Sequence, residues 1–186
     1  KSLQRQRFLP AVGYIQSHSI VLDLQSNIDY RQQHAFHRYN YYTPIDDTTL
    51  QQLNTRFNDL AGDSAVSHDA ITIHQRPINV VKRTENIIWF DFKTICGVPR
   101  SQRDFLTIAE QFDAIIVSNL TTINAEDNNL IRSLINFIDV MYDQKTLLII
   151  SAEKPIQDIY KTGRFLFSFA RTQSRITEMQ AENWSF

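Results

Sequence analysis

The sequence predicts an α/β protein in which a parallel-type sheet is flanked by helices. Three apolar runs of strand length, at 86–92, 113–119 and 146–151, are separated by two amphipathic stretches, at 101–112 and 124–145. The runs are apolar throughout rather than alternating, so each strand is expected to be covered on both faces. Strands and helices that alternate with short connections are typical of a parallel sheet.

The two amphipathic stretches carry the signals of helices. Apolar residues recur in both at spacings of three and four, which gives each one apolar face. Ser101 and Asp104 resemble a capping box, with Asp in place of the usual Glu, and acidic residues are expected in the first turn of the second helix. Pro155 suits the first turn of a further helix and Gly163 its end. The tail from position 164 begins with alternating phenylalanines and then turns helical.

The first half of the chain has a more mixed pattern. It predicts a helix at 8–18, a strand at 19–24 and a capped helix at 47–62. Residues 69–86 indicate two short strands around a turn near Arg76-Pro77, which is a β-hairpin leading into the buried strand that follows.

Composition excludes several classes of protein. With 42% hydrophobic residues, and 19 basic against 20 acidic residues, the chain is typical of a globular protein and shows no strong signal for nucleic acid. Its apolar runs are far shorter than the roughly 20 residues that span a bilayer. The single cysteine, Cys96, rules out an internal disulfide, fits the reducing cytoplasm and is expected to be a buried small hydrophobe.

The phosphate-binding loop of nucleotide hydrolases is absent from the sequence. Glycines occur only at 13, 62, 97 and 163, so no G-x-x-x-x-G-K-[ST] motif can be formed. Such a loop brings backbone amides close to the phosphates. We therefore expect this chain alone to lack ATP hydrolysis, and its start at a lysine rather than a methionine suggests part of a longer protein.

Two places in the second half are candidates for binding anions. Arg100 and Arg103 flank a predicted helix N-terminus just past the end of a strand, where parallel sheets bind ligands; solvated arginines beside a cap are an equal alternative. Arg171 and Arg175 stand four residues apart on one helical face, so they need an anionic partner. That partner is either a phosphate, a neighbouring subunit, or a structural carboxylate, Glu178 or Glu182, and the structural salt bridge is favoured over a ligand role.

Other polar groups have plainer interpretations. Asp91, at the end of an apolar strand, either holds magnesium or caps the turn that follows, and the cap is favoured. His34 and His37 have a metal-compatible spacing without further ligands nearby, and no metal site is predicted. Ser118 and Ser151 end strands without the G-x-S-x-G elbow of a hydrolase. The aromatic strip at 36–42 is expected to be an edge strand, with stacking on bases or a protein partner as the alternative.

Several segments, in order and spacing, resemble one family of AAA+ ATPases, the ZapE and AFG-one-like (lactation-elevated-one) family. The resemblance covers essentially the whole chain and matches the C-terminal portion of that family. The segments that carry it are LQRQRFLPAV (3–12), IDYR (28–31), WFDFKTICGVPRSQRDF (89–105), FIDVMYDQK (137–145), LLIISAEKPIQDIY (147–160) and FSFARTQSRITEMQ (167–180).

The resemblance implies a P-loop-related fold and an oligomeric enzyme that hydrolyses ATP with Mg²⁺, both bound mainly by residues absent from this chain. Residues 1–18 would end the AAA+ core, and 19–186 would form the C-terminal α/β region. Arg5 is then the candidate arginine finger that acts on a neighbour's phosphates, with Arg7 the weaker candidate. The resemblance also implies that Arg171, Arg175 and Arg100 are candidates for contacts with phosphate, ranked behind Arg5.

The family also implies a biological role in cell division, in association with the division ring, or as a chaperone-like ATPase. The expected partners are further copies of the same protein and either a division-ring filament protein or a membrane-associated client. The alternative from another class is an interaction domain that binds such a client through the aromatic strip without catalysis.

Overall fold

The computed structural model describes residues 40–180. The helix predicted at 8–18 and the strand predicted at 19–24 lie outside the described residues. In chain order the elements are β1 (Tyr41–Tyr42), α1 (Asp47–Ala61), β2 (Ile71–Ile73), β3 (Arg76–Ile78), β4 (Lys82–Arg83), β5 (Ile87–Asp91), α2 (Phe92–Cys96), α3 (Gln102–Gln111), β6 (Ala114–Leu120), α4 (Asn128–Asp143), β7 (Leu147–Ala152), a 3₁₀ turn (Ile156–Asp158) and α5 (Leu166–Glu178).

The main sheet is mostly parallel, as predicted. Its order in the described residues is β1-β7-β6-β5-β4, where β1, β7, β6 and β5 are parallel and β4 runs antiparallel to β5. Tyr41 and Tyr42 form β1 and pair with β7, so the predicted strand is present at these two residues, and within residues 40–180 it is the outermost strand of the sheet. The carboxyl ends of β5, β6 and β7 therefore meet at one edge of the sheet.

Alternating side chains of the strands enter two separate apolar cores, which confirms that both faces are covered. Ile88 and Phe90 lie in the core shared with α3, α4 and α5. Ile87 and Trp89 lie in the core shared with α1. Because successive residues of a strand point to opposite faces, a run that is apolar throughout fits this position between two helical layers.

Local capping signals predicted two helices well. Ser101 and Asp104 form the predicted capping box at the start of α3. Asp46 caps α1, and Gly62 follows its last residue with a φ of 52°, the left-handed conformation that glycine adopts at low cost.

The start of α4 differs from the prediction. The helix begins at Asn128 rather than near 124, and no acidic residue lies in its first turn. The carboxylate of Asp127 instead accepts from the backbone and side chain of Asn124, which closes a turn ahead of the helix. A local side-chain bond of this kind competes with helix formation.

The hairpin is present, but its turn lies before Arg76-Pro77. β2 and β3 are antiparallel and joined by His74 and Gln75, both with positive φ. Arg76 and Pro77 belong to β3 instead.

The region after β7 also differs from the prediction. Pro155 precedes only a 3₁₀ turn. Helix α5 starts at Leu166, so Phe167 and Phe169 lie within it and Phe165 immediately precedes it. Gly163 has a φ of 130° and lies so close to Tyr160 that a Cβ there would clash with the Tyr160 hydroxyl. This glycine therefore permits a close approach in the connection rather than ending a helix.

Candidate functional site

Arg100 lies on the loop between α2 and α3, just beyond the end of β5. One Nη atom donates to the Thr94 carbonyl at 3.2 Å. The Nε atom is buried and has no hydrogen-bond partner in the described part of the chain. Burial lowers the pKa of Arg100, and the nearby positive charge of Arg76 lowers it further. The guanidinium remains protonated at neutral pH, so a buried N–H donor of a cation is left unsatisfied.

Asp104 is a buried carboxylate that holds the hairpin against α3. Its Oδ1 lies 2.9 Å from His74 Nδ1, and its Oδ2 accepts from Arg76 at 2.6 Å and from the Ser101 backbone at 2.7 Å. Burial alone would raise the pKa of Asp104, but the hydrogen bonds from Ser101, His74 and Arg76 more than offset this. The pKa therefore lies well below its ordinary value.

We call His74, Arg76, Arg100 and Asp104 the hairpin cluster. The sequence had indicated Asp104 only as a helix cap. Its long-range partners, 28 and 30 positions away, carry no local signal that would join them to it.

A cleft of about 500 Å³ lies between β3 and the 97–100 loop. Arg76, Lys93 and Arg100 line it, and its described lining residues include no carboxylate. Arg103, which the sequence had paired with Arg100, is exposed on α3 and is not among these lining residues. The structure thus groups Arg100 with Arg76 and Lys93, two residues that sequence analysis did not associate with it.

Arg171 and Arg175 face the carboxylates of α4. Arg171 binds Asp139 at 2.6 Å, and Arg175 binds the other oxygen of Asp139 at 2.7 Å. Arg175 also reaches Asp143 at 3.4 Å and lies over the ring of Tyr142, 4.5 Å from its centroid. We call Asp139, Asp143, Arg171 and Arg175 the helix-pair cluster.

These arginines have a carboxylate partner, as predicted, but it is Asp139 rather than Glu178, and Glu182 lies outside the described residues. Glu178 instead accepts from the Tyr142 hydroxyl at 3.0 Å. The difference arises because α5 packs along α4, which brings Asp139 opposite both arginines at once. Whether Arg171 and Arg175 also contact a phosphate stays a prediction.

Asp91 has the capping role that the sequence favoured. One oxygen accepts from the Lys93 backbone at 2.9 Å and the other from the Asn119 side chain at 2.8 Å. Asn119 lies at an irregularity of β6 and has a φ of 64°. The carboxylate thus fixes the loop after β5 to the end of the neighbouring strand.

The remaining candidates have structural contacts. Ser118 accepts from the Trp89 indole at 2.9 Å, and Ser151 accepts from the Asn119 backbone at 3.2 Å. Cys96 is buried, as predicted, and burial raises the pKa of its thiol to about 12. At neutral pH this thiol is protonated and therefore a poor nucleophile.

Residues 40–180 contain neither a candidate metal cluster nor a membrane-spanning helix. Within that range no three His, Cys, Asp or Glu side chains gather closely enough to hold a metal ion. No helix in the same range has the length and apolar character to cross a membrane. Arg5, His34 and His37 lie outside the described residues.

Comparison with known proteins identifies relatives along nearly the whole chain. The "Cell division protein ZapE" of Escherichia coli K12 is 29% identical over 182 residues, which are 98% of this chain and 48% of that protein. An uncharacterised protein of Schizosaccharomyces pombe is 30% identical, with 98% and 47% covered. "Lactation elevated protein 1 homolog B" of Danio rerio is 23% identical, with 98% and 43% covered.

The chain spans about half the length of the curated relatives it matches. No solved structure gives a match. The family described as AFG1-like ATPase matches residues 1–185. On this match, the chain belongs to the AFG1-like ATPase family.

Proposed function

We propose that this chain is the C-terminal part of an AAA+ protein that hydrolyses ATP in the cytoplasm. The observation that carries the proposal is the family match over residues 1–185. The mostly parallel sheet, with its strand ends gathered at one edge, is consistent with the fold of such enzymes. ATP and Mg²⁺ would be bound mainly by residues outside this chain, because the phosphate-binding loop is absent from its sequence.

In this proposal the chain contributes arginines to a site shared between subunits. Arg5 is the candidate that would stabilise the charge developing on a neighbour's phosphates. Among the described candidates, Arg171 and Arg175 already bind carboxylates of α4, whereas Arg100 keeps a buried donor unsatisfied. Arg100 is therefore the candidate for a phosphate contact with the most direct structural support.

The decisive test measures ATP turnover and ATP binding by the full-length gene product. Arg5→Ala is expected to lower turnover by about a thousandfold or more while ATP affinity is retained, because an arginine finger acts mainly in the transition state. Arg7→Ala is the matched control and is expected to change turnover far less. The isolated 186-residue chain is expected to show no hydrolysis.

Two outcomes would contradict the proposal. Unchanged turnover in Arg5→Ala would remove Arg5 from the mechanism. ATP hydrolysis by the isolated chain would contradict the assignment of the nucleotide site to residues outside it.

A role in cell division is proposed from the printed name of the Escherichia coli relative. The partners proposed with it are further copies of the same protein and a division-ring filament protein or membrane-associated client. Size-exclusion chromatography with light scattering of the full-length protein, with and without ATP, tests whether it assembles with further copies of itself. Co-sedimentation with the filament protein tests whether it binds that partner. Absence of the protein from the pellet at saturating filament would contradict the filament as its partner.

A further inference from the structure

We propose that the cleft between β3 and the 97–100 loop is a binding site for a phosphate group. The cleft, of about 500 Å³, is lined by Arg76, Lys93 and Arg100. The phosphate could belong to free pyrophosphate or to a nucleotide, and both present the same oxygens to these cations. The inference rests on the proposed function in taking Arg100 as a phosphate contact, but its test measures pyrophosphate binding rather than ATP turnover, so the failure of one can be told from the failure of the other.

The described lining of the cleft contains three cations and no carboxylate. Asp104, the carboxylate that binds the lining residue Arg76, is already engaged by Arg76, His74 and Ser101. Lys93 and Arg100 form no ion pair within 4 Å with a carboxylate of residues 40–180, and the charge of Asp104 acts on Arg100 only at longer range. Placing several cations together with few anions is unfavourable, and an anionic ligand would relieve that repulsion.

Arg100 also has an unsatisfied donor. Its Nε is buried and has no partner among residues 40–180, although a buried charged group normally has its N–H groups paired. Arg100 lines this cleft and also a neighbouring hollow that contains Ser133 and Asn136. Another nitrogen of the same guanidinium is fixed by the Thr94 carbonyl. A guanidinium presents two parallel N–H groups to a phosphate, and such charge-assisted pairs are among the strongest hydrogen bonds in proteins.

Two of the three cations, Arg76 and Arg100, are held in place by contacts within the protein. Arg76 is fixed by Asp104 at 2.6 Å and also reaches the Pro99 carbonyl at 3.4 Å, which ties the hairpin to the loop. Gly97 lies so close to the Lys93 carbonyl that a side chain there would clash. Side chains and a loop that are already ordered lose less entropy when they bind.

Lys93 is the least committed of the three cations. It also borders a second hollow that contains Glu126 and Asp127, so part of its field is opposed by those carboxylates. We therefore expect Arg100 to contribute more to binding than Lys93.

Isothermal titration of the 186-residue chain with sodium pyrophosphate, and separately with ATP, tests the site. Arg100→Gln is expected to weaken binding of pyrophosphate at least about tenfold, and Lys93→Gln about threefold. Arg103→Gln removes the same charge three residues away, outside the cleft lining, and is expected to change affinity less than about twofold. Circular dichroism checks that each variant folds. If Arg100→Gln does not fold, Lys93→Gln replaces it as the test of the site, because Lys93 is exposed and its substitution is expected to leave the fold intact.

Each outcome decides the proposal. Arg100-dependent binding of pyrophosphate supports a site for a free phosphate compound, and tighter Arg100-dependent binding of ATP supports a nucleotide as the source. No binding of either compound, or equal losses in Arg100→Gln and Arg103→Gln, would overturn it.

Discussion

The hairpin cluster and the helix-pair cluster both join arginines to carboxylates, but their charges balance differently. In the helix-pair cluster, Arg171 and Arg175 face Asp139 and Asp143. In the hairpin cluster, Asp104 is shared by His74 and Arg76, and the acceptor that Arg100 has among residues 40–180 is a backbone carbonyl.

This difference separates two uses of arginine. Where each cation has a carboxylate, the pair fastens one helix to another, and an additional anion would have to displace an existing partner. Where a cation lacks a carboxylate among the described residues, we propose that its free donor serves a ligand. The position of an arginine at a helix face or helix start is thus less informative than the number of carboxylates around it.

The largest expected effect comes from Asp104→Asn. The substitution keeps the shape of the side chain but removes the charge that binds Arg76 and His74, at a site where the side chain is 2% exposed. We expect a loss of about 2 to 3 kcal/mol in the free energy of unfolding, measured by urea denaturation. Glu110→Gln on the same helix is exposed and is the control, with an expected change within about 0.5 kcal/mol. A loss no larger than the control's would show that Asp104 does not fasten the hairpin.

The pH dependence of that effect is the next test. The pKa of Asp104 is lower in the folded protein than its unfolded value of about 3.9. Its contribution is therefore complete above that value and declines as the pH falls through about 4 toward the folded pKa. The difference in unfolding free energy between wild type and Asp104→Asn should be larger at pH 5 than at pH 3. A difference that stays constant over this range would contradict the charge-based explanation.

Asp139→Asn should have a smaller effect, although it affects two arginines. The Asp139 side chain is 15% exposed and that of Arg171 is 59% exposed, so water screens part of the interaction. We expect a loss of about 1 kcal/mol in the free energy of unfolding. Arg171→Gln should cost less than Arg175→Gln, because Arg175 is more buried and keeps Asp143 and Tyr142 as partners. The reverse order would mean that the exposed pair is the stronger one.

Much of the fold could be predicted because its signals are local. The continuous apolar runs located β5, β6 and β7, and the Ser101–Asp104 pair located the start of α3. Asp91 was correctly interpreted as a cap because its partner, the Lys93 backbone, is two residues away. Periodicity and caps depend on neighbours in the chain, so a single sequence contains them.

The candidate site was less predictable because its contacts join distant segments. Arg76, from the hairpin, meets Arg100 only after β3 packs against the 97–100 loop. Asp139 rather than Glu178 binds the α5 arginines because of how two helices pack, which spacing within α5 does not reveal. The hairpin turn was misplaced because the proline at 77 is a stronger turn signal than His74-Gln75.

That turn has a consequence for the order of folding. Two-residue hairpin turns with positive φ favour Asn-Gly, whereas this one places His74 at 47° and Gln75 at 64°, conformations that cost other residues about 1 kcal/mol each. His74, the first turn residue, contacts Asp104, which lies 30 positions away in the chain. We therefore expect β2 and β3 to acquire their register only as α3 forms and docks, so that a motif that is local in sequence depends on a long-range contact to fold.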